Sequence, residues 1–174
     1  LGEEFFPQGA ACLEVGSGGG FPSVPLMICR PDLSFVLVES VGKKCVFLEK
    51  AVSELGLNAR VVNARAEELA RDAKFREKFD VCCARAVARL NTLAEYCVPF
   101  VKVGGTFVAY KADAEEEIAE AENAFYVLGV RIRHTKTSEL PGGLGKRTVI
   151  AAEKIKPTPS AYPRGRGKER SKPL

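Results

Sequence analysis

Four of the five residues from Gly16 to Gly20 are glycine, and they follow directly on the apolar run Ala10–Val15. Because glycine has no Cβ, the backbone of such a turn can approach a ligand closely. Pro22 comes next, and proline is favoured in the first turn of a helix. In open α/β sheets, ligands bind beyond the carboxyl ends of the strands, where a turn of this kind lies. The segment therefore predicts a first strand, a ligand-binding turn and a first helix.

The rest of the chain alternates short apolar runs with segments of helical periodicity. The runs predicted as buried strands are Ala10–Val15, Ser34–Glu39, Ala59–Asn63, Asp80–Ala84 and Thr106–Tyr110. The segments predicted as helices are Val24–Cys29, Gly42–Leu55, Ala66–Phe79, Leu90–Val101 and Ala112–Leu128. Two further strands, Val130–Thr135 and Arg147–Glu153, follow each other without a helix, so we expect them to pair antiparallel at one edge.

This order predicts an α/β fold of the Rossmann-like kind, with a mostly parallel seven-stranded sheet and an antiparallel edge pair. Such an arrangement resembles the core of S-adenosylmethionine (SAM)-dependent methyltransferases. Two other nucleotide-binding motifs do not fit the turn. The third glycine of the dinucleotide fingerprint GxGxxG, counted from Gly16, would stand where the chain has Phe21, which disfavours NAD. The string required for a phosphate-binding P-loop does not occur.

An acidic residue stands at or near the end of each of the first two predicted strands. Glu39 closes the second strand, 23 residues after Gly16. A carboxylate at that position can accept hydrogen bonds from both ribose hydroxyls of an adenosine-containing ligand. Glu14 stands just before the glycines, where it either orients the turn or meets an amino group of the ligand. The two acids thus predict a nucleoside site at the first two strand ends.

Candidate residues also follow the third, fourth and fifth strands. Ala66 and Glu67 begin the helix after the third strand, where their backbone groups can read the edge of an adenine ring. Arg85 follows a buried apolar strand and must emerge at the mouth of the same crevice, where it can meet a carboxylate, a phosphate or a base. Lys111 ends the fifth strand and faces the same mouth.

The cysteines and the single histidine argue against metal sites and hydrolase triads. Six cysteines stand among apolar neighbours without metal-ligand spacing, so we expect buried free thiols rather than disulfides or zinc. His134 is expected to be an ordinary strand residue. No apolar run reaches the roughly 18 residues that span a bilayer, and no secretory signal opens the sequence. We expect a cytoplasmic protein that does not contact membranes.

The charge is distributed unevenly along the chain. The formal net charge is +4, yet residues 153–174 alone carry seven Lys or Arg and two Glu. The segment from Lys156 onward is rich in Pro, Gly, Lys and Arg and has no apolar period. We therefore predict one domain at residues 1–155 and a basic C-terminal arm at residues 156–174. This asymmetry suggests a polyanionic partner, although a solvated tail would have the same composition.

Several motifs occur in an order that resembles one known family. They are Gly16-Ser-Gly-Gly-Gly-Phe-Pro22, Val38-Glu39-Ser40 with Gly42-Lys43-Lys44, Ala64-Arg65-Ala66-Glu67, Ala84-Arg85-Ala86 and Tyr110-Lys111, with the ending Lys154-Ile155-Lys156-Pro157-Thr158-Pro159, Tyr162-Pro163-Arg164 and Lys172-Pro173-Leu174. Over nearly its whole length the sequence resembles the GidB/RsmG family, the guanine-N7 methyltransferases of bacterial 16S ribosomal RNA. The ending is the most specific part, because other methyltransferases lack it.

The resemblance implies methyl transfer from SAM to N7 of a guanine in the 16S rRNA of the small ribosomal subunit. We expect the protein to be a monomer. It implies cofactor contacts at Gly16, Phe21, Ala66, Glu67 and Arg85, to which the turn and the second strand add Gly18, Glu39 and Ser40. The predicted catalytic residues are Arg85 and Lys111.

The sequence departs from the family at a few points. Glu14 and Glu39 stand where the family more often has aspartate, and Lys111-Ala112 replaces the usual Lys-Gly. The family's N-terminal helical segment has no counterpart, so we expect either a compact domain or a fragment. Three other interpretations stay open: a methyltransferase acting on a small molecule or protein, a nucleotide-binding regulatory module without catalysis, and a Rossmann dehydrogenase.

Overall fold

The computed structural model describes residues 2–112 and 114–174, so the predictions that include Leu1 and Asp113 lie outside it at those two positions. The strands are β1 (Ala11–Val15), β2 (Ser34–Glu39), β3 (Ala59–Asn63), β4 (Phe79–Arg85), β5 (Val101–Lys111), β6 (Val130–Glu139) and β7 (Lys146–Lys154). The helices are α1 (Ser23–Cys29), α2 (Gly42–Glu54), α3 (Ala66–Leu69), α4 (Leu90–Cys97), α5 (Glu115–Glu120), α6 (Glu122–Leu128) and α7 (Lys168–Ser171).

The strands form one sheet in the order β3-β2-β1-β4-β5-β7-β6. The first five in chain order are parallel, whereas β7 runs antiparallel to both of its neighbours. The predicted fold class is therefore confirmed. The antiparallel pair, β6 and β7, lies at one edge of the sheet, as predicted. Because β1 to β5 are parallel, their carboxyl ends and the residues that follow them meet along the same edge of the sheet.

Each face of the sheet carries its own apolar core. Leu13 of β1, Leu93 of α4 and Phe125 of α6 belong to the cluster on one face. Cys12 of β1 and Leu26 of α1 belong to the cluster on the other face. Successive residues of a strand point to opposite faces, which is why neighbours such as Cys12 and Leu13 serve different clusters. The buried strands therefore hold the turns at their carboxyl ends in place from both sides.

The helix predicted over Ala66–Phe79 is wrong beyond its first turn, because α3 ends at Leu69. The carboxylate of Asp72 accepts the backbone N–H of Lys74 at 2.8 Å and so competes with helical hydrogen bonding. Glu77 has a φ of 54°, which a right-handed helix does not allow. The chain uses this stretch to bury Phe75 and to turn back into β4.

Two other predicted helices are shorter than expected. The one predicted over Leu90–Val101 ends at Cys97, because Pro99 lies in a short 3-10 turn and Val101 already begins β5. The one predicted over Ala112–Leu128 is divided at Ala121 into α5 and α6. Strands β5, β6 and β7 all extend beyond their predicted bounds, because pairing between long neighbours continues past the apolar residues.

The C-terminal arm lies against the domain. Arg76 donates to the carbonyl oxygens of Tyr162 at 2.8 Å and Thr158 at 2.9 Å. The fully buried Lys154 pairs with Glu77, and the same carboxylate accepts the backbone N–H of Thr158 at 2.8 Å. Burial lowers the pKa of the Lys154 ammonium, and the Glu77 carboxylate opposes that effect. The domain boundary stays a prediction, but residues beyond it share polar contacts with the domain.

The cysteines are free thiols, and all of them are buried except Cys29, so the expectation of six buried cysteines is wrong at that position. His134 lies on β6, as predicted, and stacks on Phe5 with 5.7 Å between ring centroids. Within residues 2–112 and 114–174, no helix has both the length and the apolarity to cross a bilayer. In the same part of the chain, no group of three or more His, Cys, Asp or Glu side chains is placed to hold a metal ion.

Candidate active site

The glycine turn connects β1 to α1 at the carboxyl edge of the sheet. Gly16 has a φ of 69°, and a Cβ added to it would stand 2.6 Å from Cγ2 of Val87. Gly20 has a φ of 84°, and its added Cβ would stand 2.6 Å from Cγ2 of Val24. Both positions therefore require glycine on two grounds, a left-handed backbone and a close neighbour. Gly19, between them, is different, because a Cβ added there would have no heavy atom within 4 Å, so the turn is open at that position.

Glu39 ties the end of β2 to this turn. Its side chain is buried, and its carboxylate accepts the backbone N–H of Gly18 at 3.0 Å and of Val41 at 2.9 Å. An ionised carboxylate has about four acceptor positions, so two remain for a ligand. The backbone oxygen of Glu39 accepts the Asn63 side-chain amide at 2.9 Å, which brings the end of β3 to the same place. Ser40, exposed, follows directly.

Glu14 is fully buried beneath the turn. The Ser23 hydroxyl, at the start of α1, donates to its Oε2, whereas Oε1 has no hydrogen-bond partner among the described residues. Burial raises the pKa of the Glu14 carboxyl to about 7, against the opposing effects of the Ser23 and Ser17 hydroxyls and the positive charge of Arg85. The structure thus holds an acid with an unused oxygen directly below the glycines.

A pocket of about 570 Å³ opens beside the turn, between the ends of β4, β5 and β7. Its lining residues are Phe21, Pro22, Pro25, Arg85, Ala86, Tyr110, Lys111, Ala112, Leu140, Arg147, Thr148 and Val149. The Phe21 ring is 53% exposed, and the guanidinium carbon of Arg85 lies 5.4 Å from its centroid. Ala86 has a φ of 56°, a conformation that L-residues adopt rarely and that turns the chain sharply after Arg85.

Three predicted site residues, Phe21, Arg85 and Lys111, therefore meet at one pocket. Lys111, however, is already bound within the protein. Its ammonium donates to the carbonyl oxygen of Ala88 at 2.5 Å and pairs with Glu117 at 2.7 Å, and its side chain is 9% exposed. The same Glu117 carboxylate accepts the backbone N–H of Leu90 at the start of α4. These contacts join the end of β5 to the turn after β4, and the catalytic role of Lys111 stays a prediction.

Ala66 and Glu67 begin α3 and do not line that pocket. Ala66 is buried, and the backbone N–H of Ala64 donates to the backbone oxygen of Glu39 at 3.1 Å, so this segment adjoins the end of β2. Glu67 lines a separate groove beside the C-terminal arm. Their predicted contacts with adenine stay predictions, supported by their place at the end of β3.

Sequence reasoning missed the pocket wall formed by Leu140, Arg147, Thr148 and Val149. The missing information was which strand the antiparallel pair joins. Because β7 runs antiparallel to β5, Thr148 at its start is opposite Lys111 at the end of β5. Two signals in the sequence could have indicated this wall, the motif Tyr110-Lys111 at the end of β5 and the predicted antiparallel pair. A strand that pairs antiparallel with β5 must begin where β5 ends, so its first residues lie beside that motif.

Solved structures of other proteins share this fold. A SAM-dependent methyltransferase from Aquifex aeolicus aligns with a TM-score of 0.66 and 16% identity, covering 88% of this chain and 87% of that one. TYW2 from M. jannaschii, crystallised with AdoMet, aligns with a TM-score of 0.67 and 15% identity, covering 88% of this chain and 73% of that one. At 15–16% identity, these alignments show that the fold is shared and nothing more.

Sequence relatives are much closer. The ribosomal RNA small subunit methyltransferase G of Brevibacillus brevis is 46% identical, covering 97% of this chain and 72% of the relative. The protein of the same name from Geobacillus thermodenitrificans is 47% identical, with the same two coverages. Residues 2–147 match the GidB family, described as rRNA small subunit methyltransferase G. With its glycine turn, Glu39 and Arg85 at one edge of the sheet, the chain belongs to the rRNA small subunit methyltransferase G family.

Proposed function

We propose that this protein transfers a methyl group from SAM to N7 of a guanine in the 16S rRNA of the bacterial small ribosomal subunit. The observation that carries the proposal is the pairing of a bare glycine turn with Glu39 beside a pocket lined by Phe21 and Arg85. Membership of the family supplies the substrate class. The reaction needs a nucleoside site and an acceptor site that adjoin, and the turn borders both.

The residues present fit the cofactor. A Cβ added to Gly18 or Gly19 would meet no side chain within 4 Å, so the backbone of the turn is open to a ligand at those positions. The unpartnered Oε1 of Glu14 lies below it and suits an ammonium group, while the remaining acceptor positions of Glu39 suit ribose hydroxyls. When bound, SAM supplies an electrophilic methyl group carried on a sulfonium sulfur. Gly16, Gly18 and Glu39 would hold it, with Ser40, Ala66 and Glu67 around the adenine.

The acceptor pocket suits an unpaired purine. Its walls are mainly apolar, and Phe21 offers an exposed ring on which a base can stack. Guanine N7 has a lone pair and no proton, so its methylation needs no general base. In agreement, the described residues that line the pocket include no carboxylate and no imidazole. Positioning of the base, by Phe21 and Arg85, is then the main contribution of the protein to the rate.

The remaining charged groups of the pocket have distinct tasks in this proposal. Arg147 is exposed at the rim, where it can meet a phosphate next to the bound guanine. Lys111 acts as a positioning residue, because its bonds to Glu117 and Ala88 hold the turn that carries Arg85. The protein works as a cytoplasmic monomer, with the domain at residues 1–155 carrying the reaction.

The experiment that tests the proposal measures methyl transfer from labelled SAM to small ribosomal subunits that lack the modification. Cleavage of the RNA strand at N7-methylguanine then locates the label. Wild-type protein should label one guanine. The control variant Arg131→Gln removes an exposed cation on β6, away from the pocket, and should label the same guanine equally well. Binding of SAM without label in any subunit RNA would overturn the proposed substrate and favour a small-molecule or protein acceptor.

A further inference from the structure

A second depression, of about 550 Å³, lies between the start of α3 and the C-terminal arm. We name it the basic groove, and its lining residues are Arg65, Glu67, Glu68, Arg71, Arg164, Gly165, Arg166 and Lys168. Five of these side chains are cationic and two are acidic, so the groove has a positive formal charge. Glu67 lies on α3, which follows the carboxyl end of β3, so the groove adjoins that end of the sheet.

Two of the five cations are used to hold the arm. Arg164 binds the fully buried carboxylate of Glu95 with Nη2–Oε2 at 2.6 Å and Nε–Oε1 at 3.0 Å. Arg71 donates to the carbonyl oxygens of Pro163 at 2.5 Å and of Arg164 at 3.3 Å. A charge-assisted pair with a buried partner keeps one geometry, unlike a pair of exposed side chains. The arm is therefore a firm wall of the groove.

The next turn of the arm leaves Arg166 and Lys168 exposed. Gly165, Arg166 and Gly167 all have positive φ values, of 74°, 59° and 74°. The backbone N–H of Gly165 donates to the buried carboxylate of Glu169, and the Thr92 hydroxyl donates to the backbone oxygen of Glu169 at 2.9 Å. A left-handed conformation at a non-glycine residue persists only where the surroundings hold it. These contacts hold it here.

Three cationic side chains of the groove make no bond within the described part of the chain. Arg65, Arg166 and Lys168 are exposed, and their side chains have neither a hydrogen-bond nor an ion-pair partner among residues 2–112 and 114–174. They come from two separate segments, the residue that precedes α3 and the arm, and converge on one concave surface. Convergent cations on a pre-formed concave surface are the usual recognition device for a phosphate backbone.

We propose that the basic groove binds the phosphate backbone of the RNA substrate through Arg65, Arg166 and Lys168. This inference rests on the proposed function, since it assigns a second contact of the same substrate. The arm then contributes to RNA binding as a rigid wall and not as a mobile basic tail. Phosphates held in the groove would position the RNA across the cofactor crevice while the target base enters the pocket at Phe21.

The test compares the salt dependence of RNA binding between matched variants. The groove variant is Arg166→Asn/Lys168→Gln, in which asparagine tolerates the left-handed backbone. The control is Lys50→Gln/Arg131→Gln, which removes two exposed cations from α2 and from the start of β6. Affinity for a fluorescein-labelled single-stranded RNA is measured by anisotropy over a range of KCl concentrations. SAM affinity and the thermal unfolding midpoint are measured on each protein.

The plot of the logarithm of the association constant against log [KCl] has a negative slope. The groove variant should make this slope less steep by about 1.4, since each phosphate contact on a single strand contributes about 0.7. The control should keep the wild-type slope, and both variants should keep the SAM affinity and midpoint. If the groove variant unfolds, Arg65→Gln on the α3 wall replaces it, with an expected decrease of about 0.7.

An unchanged slope in the folded groove variant overturns the proposal that the basic groove binds RNA. The proposed function still stands in that case if the wild-type protein methylates small subunits. Wild-type protein that neither binds RNA nor methylates subunits overturns both proposals. A slope lowered equally in the control also overturns the groove, because any surface cation would then have the same effect.

Discussion

The pair formed by Arg164 and Glu95 tests whether the C-terminal arm is part of the folded domain. The Glu95 side chain is 0% exposed and that of Arg164 is 23% exposed. Besides the guanidinium, the only group bonded to this carboxylate among the described residues is the backbone N–H of Arg164, at 2.7 Å. Replacement of Arg164 by methionine keeps the volume of the stem and removes the charge. It would leave the buried Glu95 side chain without a cation.

Breaking a buried ion pair from one side costs about 3–5 kcal/mol, because the remaining charge is desolvated without compensation. For a domain of this size, each kcal/mol lowers the thermal midpoint by about 2–4 °C. We therefore expect Arg164→Met to lower the midpoint by about 6–20 °C. Glu95→Gln/Arg164→Met should recover most of that loss, since a neutral buried pair carries no unpaired charge.

The free energy of unfolding is measured by urea denaturation followed by circular dichroism, for wild type, both single variants and the double variant. This set forms a double-mutant cycle, which isolates the coupling between the two side chains. Arg166→Asn is the matched control, since Arg166 lies two residues away, is exposed and has no side-chain partner among the described residues. It should change the free energy of unfolding by less than about 0.5 kcal/mol.

A loss below about 1 kcal/mol in Arg164→Met would refute the reasoning, because an exposed ion pair contributes no more than that. The arm would then spend most of its time detached from α4. A large loss without recovery in the double variant would point instead to packing of the Arg164 stem. The first result would remove the support that this pair gives to the rigid wall of the basic groove, whereas the second would keep the wall and change only what holds it.

Three further predictions concern the crevice. Arg85→Ala should lower the rate of methyl transfer by at least about 100-fold, because a misplaced substrate loses that much. Its free energy of unfolding should stay within about 0.5 kcal/mol of wild type; near-normal turnover would exclude a role in positioning. Gly16→Ala should weaken SAM binding, measured by calorimetry, at least about tenfold and destabilise the fold by about 1–3 kcal/mol, since φ is 69° and Val87 is 2.6 Å from the new Cβ. Unchanged affinity would show that the turn has room to move. Glu14 has a pKa of about 7 in the fold, above its ordinary value of 4.5. The folded protein therefore favours the neutral carboxyl, and the stabilisation that this gives is lost as the pH rises from about 4.5 to about 7. Urea denaturation at about pH 5 and about pH 8 should show Glu14→Gln gaining about 3 kcal/mol relative to wild type across this range; parallel pH profiles would contradict it.

The sequence already contained the order of elements and the first half of the site. Periodicity is a local signal, so the strands β2 and β3 were predicted with their observed bounds, and the glycine turn could be placed at the end of β1. The position of Glu39 near the turn followed from the rule that parallel strands end at one edge. Neither inference needed knowledge of contacts between distant segments.

Helix lengths depended on such contacts. The stretch after Leu69 has helix-forming residues, but Arg76 bonds to carbonyl oxygens of the C-terminal arm, 82 to 86 residues further along the chain. A periodic pattern cannot reveal a partner at that separation. The same limit applied to the arm, whose composition resembles that of a solvated tail. Its contacts with the domain are made by polar residues such as Arg164 and by the widely separated Tyr162 and Leu174, which form no apolar stripe.

The chain alone thus determined which segments form strands, where a ligand can approach the backbone and which family motifs are present. Only the tertiary structure decided that β7 inserts beside β5 and completes the pocket at Phe21, that Lys111 is bound to Glu117, and that the arm closes a basic groove over α3. The physical reason is that backbone propensity and apolar periodicity act between near neighbours in sequence. Burial of a charge or the pairing of an added strand is settled by groups that meet only when the chain has folded.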